Sequence, residues 1–329
     1  MGIFNTCENE HSKKAELRIG VDIGGTAIKL GVVNAQNEII CKESTPTEAA
    51  LGVEHVIDNL LAATQRMLEK CHITYEDCIG MGIGCPGTID SEKGIVEYSN
   101  NIDWENVELA KEIQQRISIP VRVENDANCA VLGEMAAGRA KGHKNVVLIT
   151  IGTGIGSGII CDGKIFYGGA NGGGEAGHTV IRVDGEQCTC GRKGCLEAYV
   201  SATALIRDAV RAAQKHPESL LNVLCDNNID KMNAEIPFTA CKKGDVVAQE
   251  LIGNYFTYFG EFLTNIVNIF RPDVILIGGG VSEQGDYLIS PLQEYVQKYA
   301  FGGKHIFIPE IKKAALANQA GLIGAANLF

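Results

Sequence analysis

The chain has 329 residues, of which 45% are hydrophobic and 21% are charged, and its formal net charge is −11 at pH 7. This length exceeds what one hydrophobic core comfortably fills, so we expect two domains. The acidic balance argues against nucleic acid as the main partner, because phosphate binding needs a basic face. The longest apolar stretches are broken by glycines or by Arg271-Pro272, so neither a membrane span nor a membrane partner is expected.

The first residues and the cysteines indicate the compartment. Residues 1–16 are polar and charged, which predicts a disordered tail and no secretory signal. Met1 to Thr6 formally fit a myristoylation pattern, but the disordered tail is the favoured interpretation. Nine of the 12 cysteines lie outside one short loop without framework spacing, and several, such as Cys85 and Cys129, sit in apolar runs. Free buried cysteines fit a reducing compartment, so we expect a cytoplasmic protein.

The first half of the chain alternates strands and helices. An apolar run over 17–21 predicts a strand that ends at the turn Asp22-Ile-Gly-Gly-Thr26. Apolar spacing predicts a helix over 53–70. The other predicted elements are strands over 28–33, 38–42, 79–84 and 121–123 and helices over 109–117 and 127–140.

The opening pattern then recurs. A strand over 145–151 ends at Gly152-Thr-Gly154-Ile-Gly156 and leads into a hairpin. The recurrence predicts a duplicated α/β layout, two similar domains facing a cleft, with a boundary near residue 122. The further predicted elements are strands over 157–161, 164–167, 274–277 and 305–308 and helices over 196–215, 246–270 and 314–328, with 216–245 irregular.

The two glycine turns are candidate phosphate sites. Glycines let backbone N–H groups approach phosphate oxygens without a clashing Cβ, and Thr26 and Thr153 add hydroxyl donors. Asp22 would meet phosphate through Mg²⁺, because direct contact is repulsive. The alternative is that these turns, with Gly278 to Gly280, only join strands. A dinucleotide fold is disfavoured, because each early turn leads into a hairpin and not a helix.

One loop has the composition of a metal site. Cys188, Cys190 and Cys195 follow His178 within a short glycine-bearing stretch. Three thiolates and one imidazole complete a tetrahedral zinc shell with no open position, which is typical of structural zinc. The alternatives are coincidence or a disulfide, although Cys-x-Cys rarely reaches disulfide geometry.

A group of acids and amides suits a polyhydroxyl ligand. Asp126, in Glu124-Asn125-Asp126, either caps the following helix or accepts a proton from a substrate hydroxyl. Sugars demand many paired donors and acceptors in a small pocket. The candidate residues are Asn101, near the only tryptophan, together with Asn125, Asp126, Glu175, His178 and Glu197.

These motifs resemble those of the ROK sugar kinases from about Leu17 onward, and most of all the bacterial glucokinases of that family. The most specific match is Cys188-x-Cys190-Gly-x-x-Gly194-Cys195-x-Glu197 with Glu175-x-Gly-His178. The resemblance implies an actin-like or ribonuclease-H-like fold: a small domain over 17–122, a large domain over 123–313 and a helix over 314–329 returning to the small domain. It also implies a homodimer or higher oligomer.

The resemblance also implies roles for individual residues. Asp126 would be the catalytic base, and zinc would bind to His178, Cys188, Cys190 and Cys195. The sugar ligands would be Asn101, Asn125, Asp126, Glu175, His178 and Glu197, and the ATP and Mg²⁺ side would comprise Asp22, Gly24, Gly25, Thr26, Lys29, Thr153, Gly154, Gly279 and Gly280.

The expected reaction is ATP-dependent phosphorylation of glucose at its 6-hydroxyl. Mannose, N-acetylmannosamine, allose and fructose remain alternative acceptors, and polyphosphate an alternative donor. A regulator that binds sugar without catalysis is the rival from another class. The candidate base and both phosphate turns argue against it.

Overall fold

The computed structural model describes residues 16–329. The prediction of a tail over 1–16 therefore lies, apart from Glu16, outside the described residues. Within the described range, none of the helices combines the length and the apolarity needed to cross a bilayer.

The first half of the chain builds a five-stranded sheet. Its order is β3-β2-β1-β4-β8, in which β1 to β3 form an antiparallel meander and β4 and β8 run parallel to β1. A separate three-stranded sheet, β5-β6-β7, lies between β4 and β8 in the chain and was not predicted. The elements are β1 (Leu17–Ile23), β2 (Ala27–Val33), β3 (Ile39–Pro46), α1 (Val53–Lys70), β4 (Cys78–Cys85), β5 (Thr88–Asp90), β6 (Ile95–Ser99), β7 (Trp104–Val107), α2 (Leu109–Gln114) and β8 (Val121–Asn125).

The second half repeats this arrangement. Its sheet has the order β11-β10-β9-β12-β13, with an antiparallel meander followed by two strands parallel to β9. The same order and the same directions in both sheets confirm the predicted duplicated α/β fold. The elements are α3 (Asp126–Ala137), β9 (Val146–Ile151), β10 (Ile155–Cys161), β11 (Lys164–Ile165), α4 (Glu197–Val200), α5 (Ala202–Lys215), α6 (Leu220–Leu224), α7 (Glu235–Lys242), α8 (Val246–Phe270), β12 (Val274–Gly278), α9 (Asp286–Tyr299), β13 (Glu310–Lys313) and α10 (Ala320–Ala326).

Helices α3 and α10 join the two halves. A Cβ at Gly324 of α10 would overlap the carbonyl oxygen of Cys129 in α3, so the two helices meet backbone to backbone. A Cβ at Gly82 of β4 would likewise overlap the carbonyl oxygen of Ala325 in α10. α10 therefore packs on the first sheet. The domain boundary near residue 122 remains a prediction.

Two elements near the C-terminus differ from their predictions. The strand expected over 305–308 is wrong: Gly302 and Gly303 have positive φ and start a 3-10 turn, and strand pairing begins only at Glu310, opposite Val274. The helix expected over 314–328 is shorter, because a separate 3-10 turn over Ala317–Gln319 precedes α10.

The helical content of the second half exceeds the prediction. The segment over 216–245, expected to be irregular, contains α6 and α7. α9 was also missed, although Leu288, Leu292 and Val296 form its buried stripe. The helix expected over 196–215 is broken at Ser201, whose hydroxyl caps α5 by accepting the N–H of Ala204.

Two cysteines that the sequence predicts to be free form a disulfide. Cys41 lies on β3 and Cys71 directly follows α1, with their Cα atoms 6.5 Å apart. Because α1 packs against β3, its end returns to the strand that carries Cys41. The pair is separated by 30 positions, so nothing in the local cysteine spacing indicated it.

Candidate active site

The carboxyl ends of three parallel strands meet at one edge of the first sheet. Asp22 of β1 lies opposite Gly84 of β4, and Cys85 lies opposite Asn125 of β8. This register brings the first glycine turn and the start of α3 to the same edge. In open α/β sheets, this is the edge at which ligands bind.

The first glycine turn is held by a residue that the sequence analysis overlooked. The hydroxyl of Thr47 donates to the carbonyl of Gly24 over 2.6 Å, and its N–H donates to the carbonyl of Thr26 over 3.0 Å. Thr47 is fully buried, whereas Gly25 and Thr26 are exposed. The turn is therefore held by a buried residue on its inner side, while its outer side is exposed and accessible to a ligand.

Asp22 lies beside this turn in a partly buried position. Its side chain is 21% exposed and lies 3.7 Å from the ammonium of Lys29, its register partner on β2. Burial raises the pKa of Asp22, and the charge of Lys29 opposes that shift. The ammonium lies too far away for a good hydrogen bond, so the carboxylate is incompletely neutralised, which suits a cation.

The second glycine turn lies at the corresponding edge of the second sheet. Gly152 donates to the carbonyl of Gly154, while Ala202 and Thr203 at the start of α5 bind the carbonyls of Gly152 and Thr153. The turn is thereby tied to a helix start, with Gly152 and Thr153 exposed.

Gly279 lies beside this turn because β12 runs parallel to β9. It has φ 81°, and a Cβ there would overlap the carbonyl of Ile151. Gly279 and Gly280 are both exposed at the edge. The sequence-predicted glycines of the second half therefore come together.

Asp126 is the first residue of α3, and it does not cap that helix. The cap is Asn125, whose Oδ1 accepts the N–H groups of Ala127 and Asn128 over 2.9 and 3.1 Å, while its Nδ2 donates to Gly87. The expectation that Asp126 is well placed as the N-cap is therefore wrong. Asn125 is the last extended residue, and Asp126 is already helical.

The charge state of Asp126 sets it apart from an ordinary aspartate. Burial of its carboxyl, followed by the charges of Asp22 and Glu175, raises its pKa from 3.8 to about 6, although the residue as a whole is partly exposed. Two acids from other elements, Asp22 and Glu175, thus act electrostatically on Asp126. A carboxylate with a pKa near 6 is suited to accepting a proton near neutral pH.

Glu175 and His178 lie on a 3-10 turn that is anchored to β10. The N–H of Ala176 donates to the Ser157 hydroxyl over 3.1 Å, and a Cβ at Gly177 would lie only 2.5 Å from the Ile155 carbonyl. Glu175 is exposed and interacts electrostatically with His178 and Glu197. These three candidates are therefore neighbours.

The cysteine loop and His178 form a compact cluster. The ligand atoms of His178, Cys188, Cys190 and Cys195 all lie within 4.8 Å of one another. The sulfur of Cys188 is 3.6 Å from Nδ1 of His178, and the sulfurs of Cys190 and Cys195 are 3.7 Å apart. The sequence-predicted metal ligands are therefore all brought together.

Glu197 connects this cluster to the second glycine turn. Its Oε2 accepts the N–H of Ile155 over 2.9 Å, and its Oε1 accepts the hydroxyl of Thr189 over 3.1 Å. Glu197 also lies next to Gly154, where a Cβ would contact its carboxylate. One carboxylate thus lies between the Cys/His cluster and the turn.

Asn101 lies farther along the first half, in an exposed turn between β6 and β7. Its carbonyl oxygen is 3.5 Å from where a Cβ of Gly25 would be. It therefore borders the first glycine turn. The structure gives no direct contact between Asn101 and Asp126.

Comparison with known proteins extends the sequence resemblance. The ROK family model matches residues 18–329. The chain is 38% identical to the glucokinase of Halalkalibacterium halodurans, over 93% of this chain and 92% of that protein. It is 36% identical to the glucokinase of Thermotoga maritima, over 94% of this chain and 96% of that protein.

A solved structure agrees with these relatives. The crystal structure of a ROK family glucokinase from Streptomyces griseus, in complex with glucose and AMPPNP, has a TM-score of 0.82 and 35% identity. The match covers 95% of this chain and 98% of the Streptomyces griseus glucokinase chain. The likeness spans both sheets, which confirms the expected actin-like fold.

Proposed function

The chain belongs to the ROK family, and we propose that it transfers the γ-phosphoryl group of ATP to the 6-hydroxyl of glucose. The observation that carries this proposal is Asp126, a partly buried carboxylate with a pKa near 6 at the strand edge shared with Asp22. Sugar binding alone needs no such base. The glucokinases similar to this chain, one of them crystallised with glucose and AMPPNP, support the choice of substrates.

Phosphoryl transfer asks a protein mainly for positioning and charge neutralisation. We assign the nucleotide phosphates to the two glycine turns, Gly24 to Thr26 and Thr153 to Gly154, with Gly279 and Gly280 beside the second turn. The N–H of Gly24 donates to the carbonyl of Ala27, so Gly25 and Thr26 would supply the N–H groups of the first turn. Asp126 would orient the sugar hydroxyl and take its proton. Since the transition state is loose, this proton leaves late.

Mg²⁺ fits the acidic edge. The charge of Asp22 helps to raise the pKa of Asp126, and the nearby ammonium of Lys29 lies 3.7 Å from Asp22. Asp22 would hold the ion, which would neutralise phosphate charge when bound.

We assign the sugar to Asn101, Asn125, Glu175, His178 and Glu197. The Oδ1 of Asn125 is engaged by the helix cap, so its contribution would come from Nδ2. If His178 binds metal through Nδ1, which faces Cys188, then Nε2 carries the proton and is a fixed donor. The carboxylates of Glu175 and Glu197 would accept sugar hydroxyls.

Zinc fits the cysteine cluster by its distances. In a tetrahedral shell with Zn–S of about 2.3 Å, two sulfurs lie about 3.8 Å apart and a sulfur and a nitrogen about 3.6 Å apart. The observed 3.7 Å between Cys190 and Cys195 and 3.6 Å between Cys188 and His178 agree with this. With four protein ligands, the zinc would be structural, holding His178 in one orientation.

Further parts of the proposal concern the whole molecule. The two domains, 17–122 with 314–329 and 123–313, would close over the sugar and exclude water, which competes as an acceptor. We place the protein in the cytoplasm, since nine cysteines of the described residues are free and one pair, Cys41 and Cys71, is bonded. We further expect a homodimer or higher homo-oligomer.

The test is a hexose panel with ATP and Mg²⁺. ADP release is coupled to a spectroscopic readout, and kcat/KM is measured for glucose, mannose, N-acetylmannosamine, allose and fructose. The Asp126→Asn protein, purified identically, controls for contaminating kinases. Glucose is expected to have the highest kcat/KM. A higher value for another hexose would reassign the substrate, and sugar binding without ADP release from any hexose would indicate a regulator.

A further inference from the structure

A buried carboxylate lies directly behind the proposed base. Glu124, the last but one residue of β8, is only 2% exposed. A buried carboxylate without partners is strongly disfavoured, so its hydrogen bonds reveal what holds it. None of the roles assigned so far uses Glu124.

One oxygen of Glu124 holds the junction between β8 and α3. Its Oε1 accepts the N–H of Asn125 over 2.8 Å and the Nδ2 of Asn128 over 3.0 Å. These donors lie on either side of Asp126 in the chain. Fixing both restrains the backbone from which the Asp126 side chain extends.

The other oxygen reaches two distant segments. Its Oε2 accepts the hydroxyl of Tyr167 over 2.7 Å and that of Ser91 over 2.9 Å. Tyr167 follows β11 of the second sheet, and its carbonyl accepts the N–H of Gly173, which organises the glycine-rich segment leading to Glu175. The Tyr167 hydroxyl therefore links the segment that carries Glu175 to the carboxylate behind Asp126.

We propose that Glu124 is a positioning residue for Asp126 and that the Tyr167 hydroxyl locks it in place. Hydrogen bonds to a charged group are shorter and stronger than neutral ones, and this carboxylate gathers four of them from three chain segments. The hydrogen bond from Tyr167 to Glu124 thereby fixes the position of Asp126 relative to the segment that carries Glu175. A displacement of about 1 Å at a reacting group can cost about 100-fold in rate, so this positioning has a kinetic consequence. The inference rests on the proposed kinase function.

The test variant is Tyr167→Phe, which removes one hydroxyl and keeps the ring. Its matched control is Tyr295→Phe, because Tyr295 also donates to a glutamate, Glu261, over 2.7 Å, but between α8 and α9. We expect Tyr167→Phe to lower kcat about tenfold, equivalent to about 1.4 kcal/mol, with the KM for ATP within twofold of wild type. The control should change neither. Ser91→Ala removes the second donor to the same oxygen and should act in the same direction, which keeps the test informative if Tyr167→Phe folds poorly.

Two further measurements separate positioning from general damage. In an Asp126→Asn background, Tyr167→Phe should lower the residual turnover by less than twofold, because the group that it positions is gone. Hydrogen exchange of the peptide spanning the β8–α3 junction should become faster in Tyr167→Phe and not in Tyr295→Phe. This exchange readout needs no activity, so it still tests the lock if the wild-type protein phosphorylates no hexose. A kcat within twofold of wild type, or a full tenfold effect in the Asp126→Asn background, would overturn the proposal.

Discussion

Replacing Asp126 with Asn removes a charge that destabilises the folded protein. The pKa of Asp126 is raised from 3.8 to about 6, so the folded state binds its proton more tightly than the unfolded chain does. A group whose pKa is higher in the folded state than in the unfolded state stabilises the fold fully when the pH is below its unfolded-state pKa. This stabilisation is lost as the pH rises through its folded-state pKa. The native protein is therefore penalised above pH 6, and Asp126→Asn should relieve the penalty.

The magnitude follows from the two pKa values. Each tenfold change in proton affinity is worth about 1.36 kcal/mol, so the penalty approaches about 3 kcal/mol at pH 8 and about half of that at pH 5. For a chain of 329 residues, about 3 kcal/mol corresponds to a rise in Tm of roughly 4 °C. Because Asp126 is partly exposed as a residue, screening by solvent makes these upper values.

The assay is thermal unfolding of the ligand-free protein from pH 4.5 to pH 8. Asp126→Asn should melt higher than wild type at pH 8, and the difference should shrink toward pH 4.5. Asp286→Asn is the matched control, since Asp286 is the exposed first residue of α9, and its Tm should follow wild type.

The same variant should lose turnover while it gains stability. Asn has nearly the size of Asp but cannot accept the proton, so kcat is expected to fall by about 10²–10⁴-fold with bound metal retained and the sugar KM changed far less. For the wild type, kcat/KM for sugar should fall below about pH 6 as Asp126 becomes protonated. A variant that melts lower at pH 8, or one that keeps more than a tenth of the turnover, would refute this reasoning. Asp22 would then be the next carboxylate to test.

Five other substitutions, one of them a control, test the remaining parts of the site. Cys190→Ser should release the metal and raise the sugar KM by about 10–100-fold, much more than the ATP KM; metal analysis that finds no zinc in a fully active wild-type protein would contradict it. Glu175→Gln and Glu197→Gln should each raise the sugar KM by about tenfold or more, the scale of one lost charged hydrogen bond of about 1.5–3 kcal/mol, with kcat little changed; a large fall in kcat would place that residue in the chemistry. Because Glu197 also accepts the N–H of Ile155 beside the second glycine turn, its variant alone should raise the ATP KM. Gly279→Ala should lower Tm, because a Cβ there overlaps a carbonyl at φ 81°, while Gly280→Ala, with open space around it, should fold as wild type; equal Tm values for the two would count against the close packing of β9 and β12.

Local patterns predicted the parts of the molecule that local forces determine. The helix over 53–70 was predicted with both ends correct, because its apolar stripe is regular and Gly52 precedes it. The cluster of His178 and three cysteines was also predictable, since its four residues span only 178–195. The glycine turns followed from their position after apolar strands.

The rest depends on contacts between distant residues. Glu124 and Tyr167 are 43 positions apart, and no pattern in either segment indicates that they meet. The Cys41–Cys71 disulfide depends on the packing of α1 against β3. At the start of α3, Asn125 and Asp126 are both good capping residues, so only the backbone conformation decides which of them caps the helix.

The chemical identity of the product tests the central claim most directly. The protein is incubated with ATP, Mg²⁺ and glucose, and the mixture is followed by phosphorus NMR with proton coupling. Transfer to the 6-hydroxyl predicts one new phosphomonoester signal split by the two protons of a primary carbon, appearing as ADP forms and growing at least about 100-fold more slowly with Asp126→Asn. ADP formation without an ester, or an ester signal split by a single proton, would contradict the account.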